Sequence, residues 1–183
     1  MNPVSVVLIV IAVILLYIAS IYNKLVRLKN QAEEGWSGIS VQLKRRYDLI
    51  PNLVSCVKGY AAHEQATLEK VIEKRNRAMS VQAPAEKAAA ENEFTQTLKS
   101  LFALSENYPD LKANTTFIEL QQSLNTVEDD LQNARRYYNA TVRNLNTAVD
   151  SFPSNLVAGK FGFEKKDFFD IDEAEKQNVK VSF

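Results

Sequence analysis

Hydrophobic positions along the 183 residues fall into four successive patterns, and each predicts a different element. The first is a nearly unbroken run of Val, Ile, Leu and Ala from Val4 to Ile21, inside a stretch from Met1 to Asn23 that carries no charged side chain. At 1.5 Å per residue, about 20 such residues span a hydrocarbon core, so the run predicts a transmembrane helix over residues 1–23. Pro3 suits a first helical position behind Asn2, and Tyr17 and Tyr22 suit an interfacial level. A cleaved signal peptide would show basic residues before the run and small residues at a cleavage site. Nothing basic precedes this run and Ile18-Ala19-Ser20 is a poor match, which predicts a permanent anchor.

The second pattern has the period of one helix face. Leu25, Leu28, Ala32, Trp36, Ile39, Leu43, Tyr47 and Ile50 predict that the anchor runs on as a helix over 24–50, with Pro51 as a kink or short turn. Leu53, Val54, Val57, Ala61, Leu68, Val71 and Ile72 predict a helix over 52–79, and the stretch from Ser80 to Pro84 leads to a third over 85–107. The third pattern is tighter. Phe117, Leu120, Leu124, Val127, Leu131, Ala134, Tyr138, Thr141, Leu145, Ala148 and Phe152 alternate steps of 3 and 4, the coiled-coil period, within a helix expected to open at Pro109 and end at Phe152. The fourth pattern is the tail, 153–183. Six of the nine Phe lie in the last 32 residues, Gly159 and Gly162 interrupt regular structure, a short acidic helix is expected around 166–176, and Asn178 to Phe183 alternates like a small strand. The predicted fold is all-α: a transmembrane helix continuing into an antiparallel, coiled-coil-like bundle of about four helices over 24–152, then an irregular Phe-rich tail.

Composition supports helix, with five Gly and five Pro in the whole chain. Twenty-two basic and twenty-two acidic residues cancel, so net charge gives no reason to expect a nucleic-acid partner. The cancellation hides a gradient: residues 24–80 hold eleven Lys/Arg against six Asp/Glu, and residues 81–183 hold eleven against sixteen. The halves either attract each other or form solvated faces screened by salt. Lys24, Arg27 and Lys29 follow the anchor, which places the C-terminal domain in the cytoplasm by the positive-inside rule and the N-terminus outside.

Catalytic patterns are missing from the sequence. His63 is the single histidine, and Glu64 beside it belongs to no H-E-x-x-H. Cys56, the single cysteine, is two turns from His63, about 10.5 Å along a helix, too far for a Cys-His pair. No phosphate loop, nucleophile elbow or dinucleotide fingerprint occurs, and neither cofactor nor metal is expected. The basic run Lys44-Arg45-Arg46, followed by Asp48, reads first as a solvated helix face pairing with the acidic second half. Glu128, Asp129 and Asp130 read as exposed charge beside the coiled-coil seam. The tail aromatics Phe161, Phe163, Phe168, Phe169 and Phe183 either cap their own bundle or dock elsewhere, on a second subunit or at the membrane interface.

The run from Val41 to Val54, Val57-Lys58-Gly59-Tyr60-Ala61-Ala62-His63-Glu64, the stretch from Glu106 to Ala113, Arg136-Tyr137-Tyr138-Asn139 and the terminal Val179-Lys180-Val181-Ser182-Phe183 resemble the LemA family. The resemblance covers nearly the whole chain. It implies a bacterial inner-membrane protein with a cytoplasmic antiparallel helical bundle and no assigned activity. Two departures stand out, Gly35 where Ala is commoner and Ser40 where Asp is; Gly35 weakens its helix by up to about 1 kcal/mol and suits close packing near Trp36. The leading expectation is a membrane-tethered scaffold, held in lipid through residues 3–22, self-associating, with a further protein partner open. Its candidate interaction surface is Lys44, Arg45, Arg46, Asp48, His63, Glu64, Phe161, Phe163, Phe168, Phe169 and Phe183. The alternatives are signalling through a Pro51 joint and, least supported, catalysis by Glu64, Glu106 or Glu128 beside Lys58 or Arg135.

Overall fold

A computed structural model describes residues 2–169, and within them every regular element is a helix. In chain order these are α1 (Pro3–Tyr60), α2 (Gln65–Ser80), α3 (Pro84–Ser105), α4 (Pro109–Lys112), α5 (Thr115–Asp150) and α6 (Ser154–Phe161). Residues 163–169 follow without regular structure. Phe183, the strand-like alternation after Asn178 and most of the expected acidic helix lie outside the described residues.

The longest element is α1, with 58 residues. It passes through Pro51 without a break. Proline removes the N–H that would bond the carbonyl four residues earlier, which here belongs to Tyr47. Arg75 on α2 supplies the missing donor, its Nε lying 2.9 Å from the Tyr47 oxygen. The chain turns instead at Ala61–Glu64, where the Glu64 N–H bonds back to the Ala61 carbonyl.

The expected helix over 109–152 is divided. Asn114 stops it after α4 and starts α5, because its Oδ1 accepts from the Phe117 N–H at 2.9 Å, the bond of an N-cap side chain. The same Asn114 donates to the Tyr60 hydroxyl at 3.0 Å and so ties the start of α5 to the end of α1. Along α5 the 3-and-4 spacing is realised as burial at Phe117, Leu124, Val127, Leu131, Tyr138, Thr141 and Leu145. The seam fails at its last position, since Phe152 is 80% exposed.

The chain forms two compact units, both threaded by α1 and α5. One comprises the residues up to Ser37 with Arg136–Asp167; the other comprises Gly38–Arg135 with Phe168 and Phe169. In the first unit, Leu25 packs with Ala148, Val149, Val157 and Ala158, while Gly35 faces Tyr138 and Thr141. Rising numbers on α1 meet falling numbers on α5, so the two run antiparallel there. In the second unit, α2 lies along α3, held by Lys74 and Arg77 on Glu93 at 2.8 and 2.9 Å. Its buried core includes Ile39, Leu53, Val71, Phe94, Leu101 and Leu131.

Two local features follow directly from sequence. Among the described residues α1 is the one helix long and apolar enough to cross a membrane, and its apolar window has none of its residues buried. A core helix of a soluble domain would hide that surface. At Gly35, a Cβ would come within 3.1 Å of the Tyr138 Cα and 3.4 Å of the Thr141 Oγ1, so glycine is what lets α1 and α5 approach. Gly35→Leu should accordingly destabilise the first unit by about 1–3 kcal/mol, the usual cost of overpacking, read as a lower helix-melting temperature in detergent.

Candidate functional site

Two groups of side chains stand out, one in each unit. In the second, a polar cluster is buried among apolar helices. Arg46 and Tyr47 from α1 meet Lys87, Glu91, Phe94 and Thr95 from α3 and Glu128 from α5. Glu91 is fully buried and accepts a hydrogen bond from the Tyr47 hydroxyl. The Arg46 guanidinium lies 3.4 Å from both Glu91 and Glu128, donates to Thr95 Oγ1 at 2.8 Å, and sits 5.0 Å from the Phe94 ring centroid. Lys87 donates to the Ala78 carbonyl at 2.7 Å and stands over the Tyr47 ring.

Burial dominates the electrostatics of this cluster. It pushes the Glu91 carboxyl above its ordinary range, against the opposing pull of the Tyr47 hydrogen bond and of Arg46, Lys87 and Arg135. It also lowers Lys87 and raises the Tyr47 hydroxyl, which the Glu91 carboxylate raises further. A cleft of about 290 Å³ opens beside the cluster, lined by Arg46, Thr95, Lys99, Glu128 and Arg135 among others. Arg46 bridges Glu91 of α3 and Glu128 of α5, which links α1 to both helices, while Lys87 is held by a backbone carbonyl and the Tyr47 ring. Among the described residues no three His, Cys, Asp or Glu side chains converge to hold a metal ion.

The residues singled out from sequence are distributed between very different environments. Lys44 pairs with Asp48 on its own helix at 2.9 Å rather than with the acidic second half, whereas exposed Arg45 reaches Asp130 of that half at 3.5 Å. Arg46 does pair with the acidic half of the sequence, but inside the protein rather than on a solvated face. His63 is exposed in the turn after α1, while Glu64 accepts from the Tyr108 hydroxyl at 3.0 Å. Glu128 is half-buried against Arg46. Phe169 is buried, with the Arg135 guanidinium 5.0 Å from its ring, whereas Phe168 is exposed. Arg46 and Phe169 are thus interior groups, not parts of a docking surface.

Sequence reasoning overlooked Glu91 and Lys87. Their signal was present: Lys87, Glu91, Phe94 and Leu98 step by 4, 3 and 4 along the buried face of α3, so two charges occupy apolar positions.

The second group surrounds the end of the apolar run. Tyr22 meets Phe161 and Phe163 edge to face, with ring centroids 5.0 and 5.6 Å apart. Inward, Val157 and Ala158 of α6 cover Leu25; outward, Phe152, Leu156 and Phe161 remain exposed. Gly162, at φ 71°, reverses the chain after α6, a left-handed conformation that favours glycine. The irregular segment beyond is held to α5, where Asn146 exchanges two hydrogen bonds of 2.9 Å with the Lys166 backbone and the Tyr138 hydroxyl donates to the Asp167 carbonyl at 2.8 Å.

Comparison with known proteins yields one family model, the LemA family, matching residues 35–183. The chain is 26% identical over 164 residues to Protein LemA of Metamycoplasma hominis, covering 87% of this chain and 74% of that protein. It is 25% identical over 174 residues to the magnetosome protein MamQ of Magnetospirillum gryphiswaldense, and 24% identical to magnetosome protein MamQ 2 of Paramagnetospirillum magneticum. Those two alignments cover 81% of this chain but 64% of each relative, so the chain spans less than two thirds of the MamQ proteins. None of these three names describes an enzyme.

Proposed function

Since the chain belongs to the LemA family, we propose that it is a membrane-tethered helical scaffold, non-enzymatic and self-associating, anchored in a bacterial inner membrane. The observation that carries this reading is α1 itself. One uninterrupted helix bears an exposed apolar run and, from Leu25 onward, a buried face shared with α5. In this reading the helical domain faces the cytoplasm and the N-terminus lies outside, supported by Lys24, Arg27 and Lys29 directly after the run. We read the polar cluster around Glu91 as structural, because Arg46 ties α1 to Glu91 of α3 and Glu128 of α5, and a tethered scaffold needs a fixed helix register more than a reactive group.

For self-association the candidate positions are the exposed apolar side chains Val41, Tyr60, Ile72 and Ile118 of the second unit and, separately, Tyr137 of the first. The test is a photoreactive residue placed in turn at Val41, Ile72 and Tyr137 of the membrane-embedded protein. Crosslinked dimers or larger species from at least one position are expected. Monomer alone from all three, with no other protein captured, contradicts the reading.

A further inference from the structure

Beside the anchor, in the first unit, lies a cleft of about 480 Å³ whose chemistry changes from one end to the other. Tyr17, Ile21 and Lys24 supply one wall from a single face of α1, while Phe152 and Pro153 close it from the turn between α5 and α6. Because α1 and α5 run antiparallel in this unit, Tyr17 and the Phe152–Pro153 turn lie at the end nearer the apolar run. Lys24, and Arg143 on α5, lie toward the other end.

Three observations set what this cleft can hold. No carboxylate lines it, and neither Lys24 nor Arg143 has an ion-pair partner among the described residues, so two positive charges face the cleft without compensation. Lys24 stands within one turn of Ile21, so its ammonium falls at headgroup depth if the run spans the bilayer. Phe152, at 80% exposure, and Leu156, at 65%, present apolar surface beside the cleft. A segment facing water on every side would not be expected to display both; a segment at the bilayer boundary would.

We infer that the cleft is a binding site for one anionic phospholipid of the surrounding bilayer, its phosphate held by Lys24 and Arg143 and its acyl chain lying along Tyr17 and Ile21 under Phe152. This rests on the membrane-anchored reading of α1. Asn144 and Thr147, also in the lining, offer hydrogen-bonding groups at the headgroup end. The turn and α6 then act as a second foot on the membrane, and the lipid fills the space between foot and anchor.

The test uses the full chain in nanodiscs of phosphatidylcholine mixed with phosphatidylglycerol, released gently and weighed intact with its retained lipids. Retention of phosphatidylglycerol in preference to phosphatidylcholine is expected. Lys24→Gln and Arg143→Gln should each lower that retention about fivefold, the effect of one basic contact at an anionic surface. Lys160→Gln, an exposed charge on α6 outside the cleft, should leave it unchanged. All three substitutions fall on exposed side chains, so folding is not at stake. Retention without headgroup preference, or an equal loss in all three variants, overturns the site. A chain that fails to enter the nanodisc removes the anchored reading and this proposal together, whereas an inserted chain indifferent to Lys24 and Arg143 removes the proposal alone.

Discussion

Glu91→Ala should destabilise the second unit by about 3–5 kcal/mol, because the buried Arg46 guanidinium and the Tyr47 hydroxyl both lose a shared partner. The deletion leaves Arg46 with Glu128 alone, takes away the acceptor of the Tyr47 hydroxyl, and strands Lys87 over the Tyr47 ring with less neutralising charge. Glu91→Gln should cost far less, roughly 1 kcal/mol, because it keeps the volume and an acceptor for Tyr47. The reason for the difference lies in the raised carboxyl: burial already penalises the ionised form in the folded protein. The native state holds the Glu91 proton more tightly than the unfolded chain does. Its stabilising contribution is therefore complete below the ordinary glutamate range and is lost as pH rises through the native pKa. The groups facing it are Tyr47 and Arg46 on α1, Lys87 on α3 and Arg135 on α5. Chemical unfolding followed by circular dichroism should show the parent losing stability relative to Glu91→Gln as pH rises above the ordinary glutamate range. An unchanging difference would show that Glu91 does not titrate in this window.

The anchor should tolerate one charge and fail with two. Val4 to Ile21 contains 13 Val, Ile and Leu residues. At about −0.3 to −0.6 kcal/mol each, they favour insertion by roughly 4–8 kcal/mol, against about 2.5–3.5 kcal/mol for an arginine near the helix centre. Val10→Arg alone is expected to leave the chain in the membrane. Val10→Arg combined with Ile14→Arg costs about 5–7 kcal/mol, which offsets the whole gain, and should release a substantial fraction of the protein from lipid in a liposome flotation assay. Both positions are exposed, so neither change disturbs a packed core. Release by the single substitution would mean that the run is only weakly held.

Much of this architecture was legible from local pattern, and the remainder depends on contacts between distant parts of the chain. The apolar run, the start of α3 at Pro84 and the buried seam from Phe117 to Leu145 follow from spacing alone. Gly35 was recognisable as a close-packing position because its helix cost needed a reason. Pro51 misled because the donor that rescues the Tyr47 carbonyl comes from Arg75, 28 residues on. Asn114 divides α4 from α5 by a side-chain cap that hydrophobic spacing does not register. Arg46 is interior because Glu91, 45 residues away, meets it there; a basic run gives no sign of which of its members turns inward. The candidate surface was scattered for the same reason. Burial is decided by neighbours brought in by the fold, and a short motif carries no information about them.

The central claim is that the N-terminal run of α1 stays in lipid, joined to the helical domain it introduces. Membranes from cells making the chain should be washed at alkaline pH to strip peripheral proteins, and the retained material weighed intact. The account predicts a membrane-retained species of 20.6 kDa with its first residues present. Release into the wash, or a retained species shortened by the N-terminal run, would contradict it.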